Sequence, residues 1–321
     1  MKFRKMMGVT AAFLCAALAL SGCGSTDETA YRIGIVQQDE HSSLDAATQG
    51  FEDKLMELLG EENVTFDYQN AQGEQANCTT IATKFVSDGC DLILANGTTA
   101  LQSAAAATAD IPIVGTSVTD YIAAGAVNSN EKPGRNVTGV SDLAPVDQQI
   151  QLLMKLVPDT KKVGIVYCSA EPNSAYQAKL AEAELDKEDI AWAEFTAADS
   201  NEVQSVVTKA VGECDALYIP TDNTIANNTE IVKNVAVPAG IPVVTGEEGM
   251  CSGCGLATLS ISYYDLGVKA AEMAYEILTN GADPAQMAIG YVTDGITEKY
   301  NADIAEALNI TIPEDMVAIE N

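Results

Sequence analysis

The sequence is poor in histidine, tryptophan and basic residues. It contains one histidine and one tryptophan, and its 17 lysine and arginine residues face 46 aspartate and glutamate residues, so its formal net charge is −29. A single histidine, His41, leaves no second histidine with which to bind a metal ion. The acidic balance repels phosphate backbones and anionic lipid headgroups, so we expect no nucleic-acid partner.

Catalytic sequence motifs are also missing. The chain has neither a Gly-x-Ser-x-Gly nucleophile elbow nor a Walker phosphate-binding loop. We interpret His41 as a capping or packing residue near the first predicted loop rather than as a general base. The sequence therefore predicts a protein that is not an enzyme, with no cofactor and no metal site.

The N-terminus has the parts of a secretory signal. Lys2, Arg4 and Lys5 precede an uncharged apolar stretch over residues 9–20, which is too short for a membrane-spanning helix. Residues 20–23, Leu-Ser-Gly-Cys, resemble a lipobox, in which cleavage occurs before the cysteine. We predict a signal peptide over residues 1–22, a lipidated tether over residues 23–30 that begins at Cys23, and an extracytoplasmic chain anchored to the cell membrane.

Removal of the signal peptide would leave 299 residues with a net charge near −32. This length exceeds that of an average single domain and suggests two domains. Of the eight cysteines, Cys15 lies in the signal and Cys23 at the lipidation site. The state of the other six is left open, with a local disulfide or free thiols favoured over a metal or redox site: Cys78, Cys90, Cys168, Cys214, Cys251 and Cys254.

Short β-branched runs alternate with helical patterns from residue 31 onward. Strands that are apolar on both faces and separated by helices indicate parallel sheets with helices on both sides. The fold class is therefore α/β, with two doubly wound parallel-sheet lobes of about five strands each. The strands are predicted at residues 31–36, 64–68, 92–95, 111–114 and 137–140, and then at 163–167, 190–195, 216–219, 242–245 and 256–261.

The pattern alone does not place a further helix over residues 264–278 or a strand over residues 288–292. If the chain crosses back to the first sheet, several parallel segments connect the two lobes. Such segments would form a hinge about which the lobes open and close. On this basis lobe 1 comprises residues 31–140 plus about 263–288. Lobe 2 comprises residues 141–262 plus about 289–321.

Polar side chains follow the predicted strands in both halves. In open α/β sheets ligands bind beyond the carboxyl ends of the strands, so facing lobes would line one cleft. The candidate ligand-binding residues are Ser43, Thr98, Thr99, Thr119, Asp120, Ser141, Asp142, Ser169, Asn173, Ser174, Asp222, Asn223 and Glu247.

Several of these residues have two interpretations. The segments at Thr98 and Asn173 lie at the N-termini of predicted helices, so they would either bind an anion or only cap the helix. Asp222 would accept hydrogen bonds from a ligand ammonium group or cap a helix, with Asp120, Asp142 and Glu247 as further candidates. An anion pocket beside a carboxylate is what a zwitterionic amino acid requires.

The chain resembles the ABC-transporter substrate-binding lipoproteins of the tryptophan/tyrosine-binding type, which have a type I periplasmic-binding-protein fold. The resemblance runs from about residue 31 to residue 313. Its most specific segments are Asn-Val-Thr-Gly-Val-Ser-Asp at 136–142, Glu-Pro-Asn-Ser at 171–174 and Pro-Thr-Asp-Asn-Thr at 220–224. It implies closure of two lobes over a small ligand, often an aromatic amino acid, and delivery to an ABC permease and its ATPase.

The resemblance also implies roles for individual residues. Thr98 with Thr99 and Asn173 with Ser174 would hold the ligand carboxylate, and Asp222 the ammonium group. Rings that would stack on the ligand are those of Tyr121, Tyr167 or Tyr176. Residues 98–100 read Thr-Thr-Ala where relatives carry a proline after one threonine, and residues 247–255 are unusual, which leaves the ligand open.

We expect a monomer that binds the membrane through its lipid anchor. Two alternatives remain for the function. One is a sensory co-receptor lipoprotein, and the other is a receptor for a different small solute such as a nucleoside or a sugar.

Overall fold

The computed structural model describes residues 30–293 and 295–319. The predicted signal peptide and Cys23 lie outside the described residues. The chain forms two lobes, and each has a central β-sheet with helices on both faces. This confirms the predicted α/β class with two parallel-sheet lobes.

The first lobe contains a six-stranded parallel sheet in the order β11-β5-β4-β3-β1-β2. Its central strands are buried on both faces, as their continuous apolar runs predict. The strands are β1 (Tyr31–Gln37), β2 (Val64–Asn70), β3 (Leu92–Asn96), β4 (Ile113–Val118), β5 (Val137–Ser141) and β11 (Gly290–Tyr291).

Four helices cover this sheet. On one face lie α1 (Ser42–Leu59) and α10 (Tyr263–Asn280), and on the other lie α2 (Gln75–Asp88) and α3 (Thr98–Ala107). Helices α1 and α10 approach closely at Gly50 and Gly267, where an added Cβ would overlap the carbonyl oxygens of Tyr264 and Ala47. A segment from late in the sequence is thereby fixed against the first helix of the chain.

The second lobe contains a seven-stranded sheet in the order β13-β12-β10-β9-β8-β6-β7. It is parallel except for β12 and β13, which run parallel to each other and antiparallel to the other strands. The strands are β6 (Lys162–Cys168), β7 (Ala191–Ala197), β8 (Ala216–Ile219), β9 (Val243–Thr245), β10 (Ala257–Ser260), β12 (Thr297–Tyr300) and β13 (Val317–Ala318).

The helices of the second lobe also form two layers. One layer contains α4 (Val146–Leu156), α5 (Pro172–Lys187) and α11 (Ala302–Leu308). The other contains α6 (Val203–Glu213), α7 (Asn223–Ala226), α8 (Thr229–Ala236) and α9 (Glu248–Cys254). Short 3₁₀ turns lie at Glu61–Asn63, Ser200–Glu202 and Pro284–Gln286.

The described chain passes between the lobes three times, after β5, after β10 and after β11. The predicted lobe boundaries need correction at two points. Gly290 and Tyr291 pair with Val140 and Ser141 in the first sheet, so the last crossing follows Tyr291 and Ser141 belongs to lobe 1. This edge pairing joins residues about 150 positions apart, and no local pattern predicts such a contact.

The six cysteines of the described residues are all buried and free. Cys251 and Cys254 therefore form neither a local disulfide nor an exposed thiol pair, and burial raises the pKa of the Cys254 thiol well above its usual value. Among the helices over residues 30–293 and 295–319, none has the length and apolar character needed to cross a bilayer.

Candidate functional site

The carboxyl ends of both sheets meet at a small cavity between the lobes. Its volume is about 10 Å³, roughly the space of one water molecule, so the walls of the cavity lie close together. The first lobe contributes His41, Leu44, Ser117 and Thr119, and the second contributes Asn173, Thr221, Asp222, Asn223, Ala226, Glu247 and Met250. Asp142 and Tyr263 line it from two of the crossings.

Four polar atoms that line this central cavity are buried and have no hydrogen-bond partner in the protein. They are His41 Nδ1, Ser117 Oγ, Asp142 Oδ1 and Asn173 Oδ1. Buried polar atoms are nearly always paired, because leaving one unpaired costs about 1–3 kcal/mol. Four such atoms around one cavity mark it as a place where a water molecule or a ligand would supply their partners.

Asp142 presents one free carboxylate oxygen to the central cavity. The residue is 3% exposed, and its Oδ2 accepts a hydrogen bond of 2.9 Å from the Tyr263 hydroxyl. Burial raises the pKa of Asp142 to about 6, although the Tyr263 hydroxyl, which donates to Oδ2, and the nearby Thr119 hydroxyl oppose the shift. The free Oδ1 is suited to accept a hydrogen bond from a cationic group.

Asp222 lines the same cavity, but both of its oxygens are used by the protein. Oδ2 accepts a hydrogen bond of 2.7 Å from the Cys168 amide, and Oδ1 accepts one of 2.8 Å from the Ile225 amide. The second bond makes Asp222 the N-cap of α7. Burial and then the Glu171 charge raise the pKa of Asp222, whereas the two amides favour its ionised form.

Glu247 joins the two lobes. It caps α9 by accepting hydrogen bonds of 2.6 Å from the Gly249 and Met250 amides. Its Oε2 also accepts a hydrogen bond from the Ser43 hydroxyl, in the first turn of α1. An added Cβ at Gly249 would lie 2.8 Å from Ser43 Oγ, so the two helix N-termini meet with little space between them.

A second contact between the lobes joins His41 to Asn223. The distance from His41 Nε2 to Asn223 Oδ1 is 3.1 Å. The Asn223 amide nitrogen donates to Glu171 at 2.7 Å, which fixes Oδ1 toward the ring. His41 Nε2 is therefore the donor, and Nδ1 faces the cavity as an acceptor when the ring is neutral.

The side chains of Asn173 and Ser174 do not offer free donors to the cavity. The Asn173 amide nitrogen donates to Glu171, Ser174 and the Thr221 carbonyl at 3.1–3.2 Å, which leaves only its Oδ1 for the cavity. The Ser174 hydroxyl donates to the same Thr221 carbonyl. The side-chain donors of both residues are thus used within the second lobe, and their carboxylate-binding role stays a prediction that rests on the backbone N–H groups at the start of α5.

Thr98 and Thr99 lie outside the central cavity. Thr98 lines a small neighbouring gap with Asp120 and Tyr176, and the Thr99 amide donates to Gln38 Oε1 at 2.8 Å. The N-terminus of α3 is thus partly capped by a side chain from the end of β1, so the predicted anion site is not in the cavity.

Other predicted residues support the cavity from behind or lie at its rim. Ser141 donates to the Thr119 carbonyl, Asp120 accepts from the Ala123 amide, and Ser169 donates to the Ala197 carbonyl. Ser43 contributes through its bond to Glu247. Thr119, Asp142, Asn173, Asp222, Asn223 and Glu247 are the predicted residues that the structure brings together at the cavity.

None of the three predicted stacking rings lines the central cavity. Tyr121 is in the first core and donates to the Val140 carbonyl, Tyr167 donates to Glu194, and Tyr176 lies at the neighbouring gap. Tyr263 lines the cavity instead. It is the first residue of α10, with two residues between it and the end of β10, whereas the predicted helix begins at residue 264.

Ser117 is another lining residue that is absent from the candidate ligand-binding residues. It has a φ of 54°, in a region that non-glycine residues rarely adopt, and the pairing of β4 with β5 shifts register around it. Its side chain is 7% exposed. Backbone strain of this kind concentrates at ligand sites, and no sequence pattern marks it.

A larger space of about 520 Å³ lies between the lobes, and Asn223 lines both this space and the central cavity. The acidic lining residues of the larger space are Asp39, Glu74, Glu171 and Asp199, and none of the described residues that line it is lysine or arginine. Such a space attracts cations and repels anions.

Comparisons with known proteins agree with this geometry. A family profile described as ABC transporter substrate binding protein matches residues 32–320. A tyrosine-binding protein from Clostridioides difficile is 39% identical over 293 residues, which cover 86% of this chain and 85% of the relative.

Two solved structures are similar along most of the chain. An ABC domain from Streptococcus pneumoniae in complex with L-Trp is 34% identical with a TM-score of 0.87, covering 91% of this chain and 100% of that chain. The ligand-free, open structure of a substrate-binding protein with adhesive properties from Clostridium difficile is 38% identical, with coverage of 91% and 99%. Its TM-score is only 0.70, so the lobes here are arranged more as in the L-Trp complex.

Proposed function

The chain belongs to the ABC transporter substrate-binding protein family, and we propose that it closes two lobes over an aromatic amino acid, which it delivers to an ABC permease. The family consists of extracytoplasmic binding proteins rather than enzymes. The names of two relatives support tyrosine or tryptophan as the ligand. Phenylalanine is a third candidate of the same chemical class.

The observation that carries this proposal is the set of four unpartnered polar atoms around the central cavity. Closing the lobes without a ligand would leave these atoms without partners, at a cost of about 1–3 kcal/mol each. A ligand that supplies partners only in the closed form shifts the equilibrium toward that form by its differential affinity. Ligand binding and lobe closure are therefore energetically coupled.

We assign the ligand ammonium group to Asp142. Its Oδ1 is free, whereas both oxygens of Asp222 and of Glu247 already accept bonds from the protein. The Ser117 hydroxyl faces the cavity as a donor for the ligand carboxylate. Leu44, Met250 and Tyr263 present apolar surface to the ligand ring.

The other predicted residues have supporting roles in this proposal. Thr119 and Asn223 shape the wall, and Ser141 holds the strand end before Asp142. Ser43 and Glu247 hold the closed lobes together. Thr98, Thr99, Asp120, Ser169 and Ser174 act on neighbouring loops rather than on the ligand.

Thermal unfolding with candidate ligands tests the proposal. The purified protein is first unfolded and refolded to remove any molecule carried through purification. Tyrosine, tryptophan or phenylalanine at one hundred times its dissociation constant should stabilise the folded state by about 2.7 kcal/mol. A screen in which sugars or nucleosides raise the melting temperature and no amino acid does would overturn the ligand assignment.

The lipid anchor at Cys23 belongs to the same proposal, and the Leu-Ser-Gly-Cys sequence at residues 20–23 supports it. Replacing Cys23 with alanine should release the protein from the membrane fraction into the soluble extracytoplasmic fraction. Labelling with a radioactive fatty acid should be lost in the same variant. Retention of label in Cys23→Ala would contradict the assignment.

A further inference from the structure

We propose that the central cavity also binds arylethylamines, the aromatic amines that remain when an aromatic amino acid loses its carboxylate. This inference rests on the proposed function and extends the ligand class of the same site. Tyramine and tryptamine are the simplest members of this class. We infer this because most of the unpartnered atoms assigned below accept hydrogen bonds and because the cavity is lined by three carboxylates.

Acceptors outnumber donors among the unpartnered atoms of the cavity. Asp142 Oδ1 and Asn173 Oδ1 are acceptors by chemistry, and both residues are at least nine-tenths buried. His41 Nδ1 accepts in a neutral ring and donates in a protonated one, so it is counted on neither side. Among these four buried atoms, the donor is the Ser117 hydroxyl.

The orientation of Asn173 is fixed by its own contacts. Its amide nitrogen has three acceptors, on Glu171, Ser174 and Thr221, at 3.1–3.2 Å. Turning the amide over would set its oxygen against the Glu171 carboxylate and the Thr221 carbonyl, neither of which can donate a hydrogen bond. Asn173 therefore cannot become a donor for a ligand carboxylate without losing three hydrogen bonds.

The charges of the cavity favour the same class of ligand. Asp142, Asp222 and Glu247 all line it, and no lysine or arginine is among its described lining residues. A ligand ammonium group is attracted by these carboxylates, whereas a ligand carboxylate adds a further negative charge to the same small volume. Removing the carboxylate from the ligand therefore removes repulsion as well as a contact.

Titration calorimetry with three ligands that share one ring tests this inference. They are tyrosine, tyramine, and 3-(4-hydroxyphenyl)propionate, which keeps the carboxylate and lacks the amine. We expect tyramine to bind within about tenfold of tyrosine, since it loses mainly one hydrogen bond to the carboxylate. The propionate should bind about 100-fold more weakly than tyrosine or not at all, because Asp142 then lacks its cation.

The outcomes separate this inference from the proposed function. If tyrosine binds and tyramine at a thousandfold excess over tyrosine does not displace it, the inference is wrong and the proposed function stands. If none of the aromatic amino acids binds, the proposed function itself fails. Stronger binding of the propionate than of tyramine would also overturn the inference.

Variants at the two ends of the ligand give a second test. Ser117→Gly, which suits the positive φ, should weaken tyrosine about tenfold more than tyramine, because only tyrosine carries a carboxylate. Asp142→Asn should weaken both ligands. Asp120→Asn, at the rim, should leave the ratio of the two dissociation constants unchanged. Equal losses in Ser117→Gly, or tyramine binding that survives Asp142→Asn, would contradict the inference.

Discussion

The surroundings of Asp142 and Asp222 differ although both carboxylates are buried and line one cavity. At the crossing between the lobes, Asp142 accepts one bond from Tyr263 and keeps Oδ1 unpartnered. At the start of α7, Asp222 accepts one backbone N–H on each oxygen. The first carboxylate is left for a ligand, and the second is part of the second lobe.

This difference shows that burial beside a cavity does not by itself identify a ligand-binding carboxylate. The number of acceptor sites already used by the protein is the better criterion. Glu247 is an intermediate case, because it caps its own helix and also reaches Ser43 in the other lobe. On this criterion Asp142 binds the ligand, Asp222 stabilises the second lobe, and Glu247 holds the closed lobes together.

Replacing Asp142 with asparagine should have the largest effect on binding. The change keeps the size of the side chain and removes the charge that faces the ligand ammonium group. Loss of one partner from a buried charged pair costs about 2–5 kcal/mol, which is roughly 30-fold or more in affinity. Titration calorimetry with tyrosine and tryptophan measures the loss.

The same variant should be at least as stable as the parent protein when no ligand is present. The pKa of Asp142 is about 6 in the folded protein against 3.8 for a free aspartate side chain, so its charge disfavours the folded state at neutral pH. A large fall in melting temperature would show that Asp142 is structural, and the contrast with Asp222 would disappear.

Asp222→Asn should show the opposite balance between stability and affinity. An asparagine retains one oxygen acceptor and directs its NH₂ group toward a backbone N–H. We expect the free energy of unfolding to fall by about 1–3 kcal/mol, with an affinity loss smaller than that of Asp142→Asn. Chemical denaturation and calorimetry on the two variants side by side measure both quantities. An affinity loss in Asp222→Asn that exceeded the loss in Asp142→Asn would reverse the two assignments.

The sequence gives the positions of these acids but not their hydrogen bonds. Asp142, Asp222 and Glu247 each follow a predicted strand, so the strand-end rule correctly places all three beside one cavity. The resemblance favours Asp222 as the ammonium partner, because it stands in the specific segment 220–224. Whether both oxygens are already used depends on Cys168, which lies 54 residues away.

The fold follows from local patterns up to about residue 260 and is less predictable after it. Parallel strands between helices are recognised by their apolar runs, and both lobes contain them. The strands β12 and β13 are short and only partly buried or exposed, so no periodic signal marks them. The strained Ser117 and the edge pairing of Gly290 likewise depend on contacts distant in sequence.

Lowering the pH should affect ligand affinity and ligand-free stability with opposite signs. Below a pKa of about 6, Asp142 takes up a proton and no longer attracts the ammonium group, so affinity should fall about tenfold between pH 7 and pH 5. In the ligand-free closed protein, protonation of Asp142 contributes stability as the pH falls from about 6 to about 4.

Many carboxylates titrate in this range, so the control is the Asp142→Asn variant measured at the same pH values. The difference between parent and variant isolates Asp142. Affinity that falls equally with pH in both proteins would assign the effect to other groups. The affinities come from calorimetry, and the stabilities come from denaturation at each pH.

Ser43→Ala should have the smallest effect, and it acts on closure rather than on the ligand. Ser43 donates to Glu247 across the cleft, whereas the amides of Gly249 and Met250 continue to bind Glu247 within the second lobe. Removal of the hydroxyl should cost the closed state about 1 kcal/mol. Ligand dissociation should become roughly fivefold faster with little change in the association rate, because the bond forms only on closure.

Gly249→Ala provides a matched variant on the other side of this contact. Its added methyl group would lie 2.8 Å from Ser43 Oγ and 2.5 Å from Ser42 Oγ, so it should hold the lobes apart and speed dissociation further. Stopped-flow measurements give both rate constants for each variant. If Ser43→Ala slowed association and left dissociation unchanged, the Ser43–Glu247 bond would form before the ligand binds. Closure would then be the first step of capture, and Asp142 would receive the ammonium group in lobes that had already met.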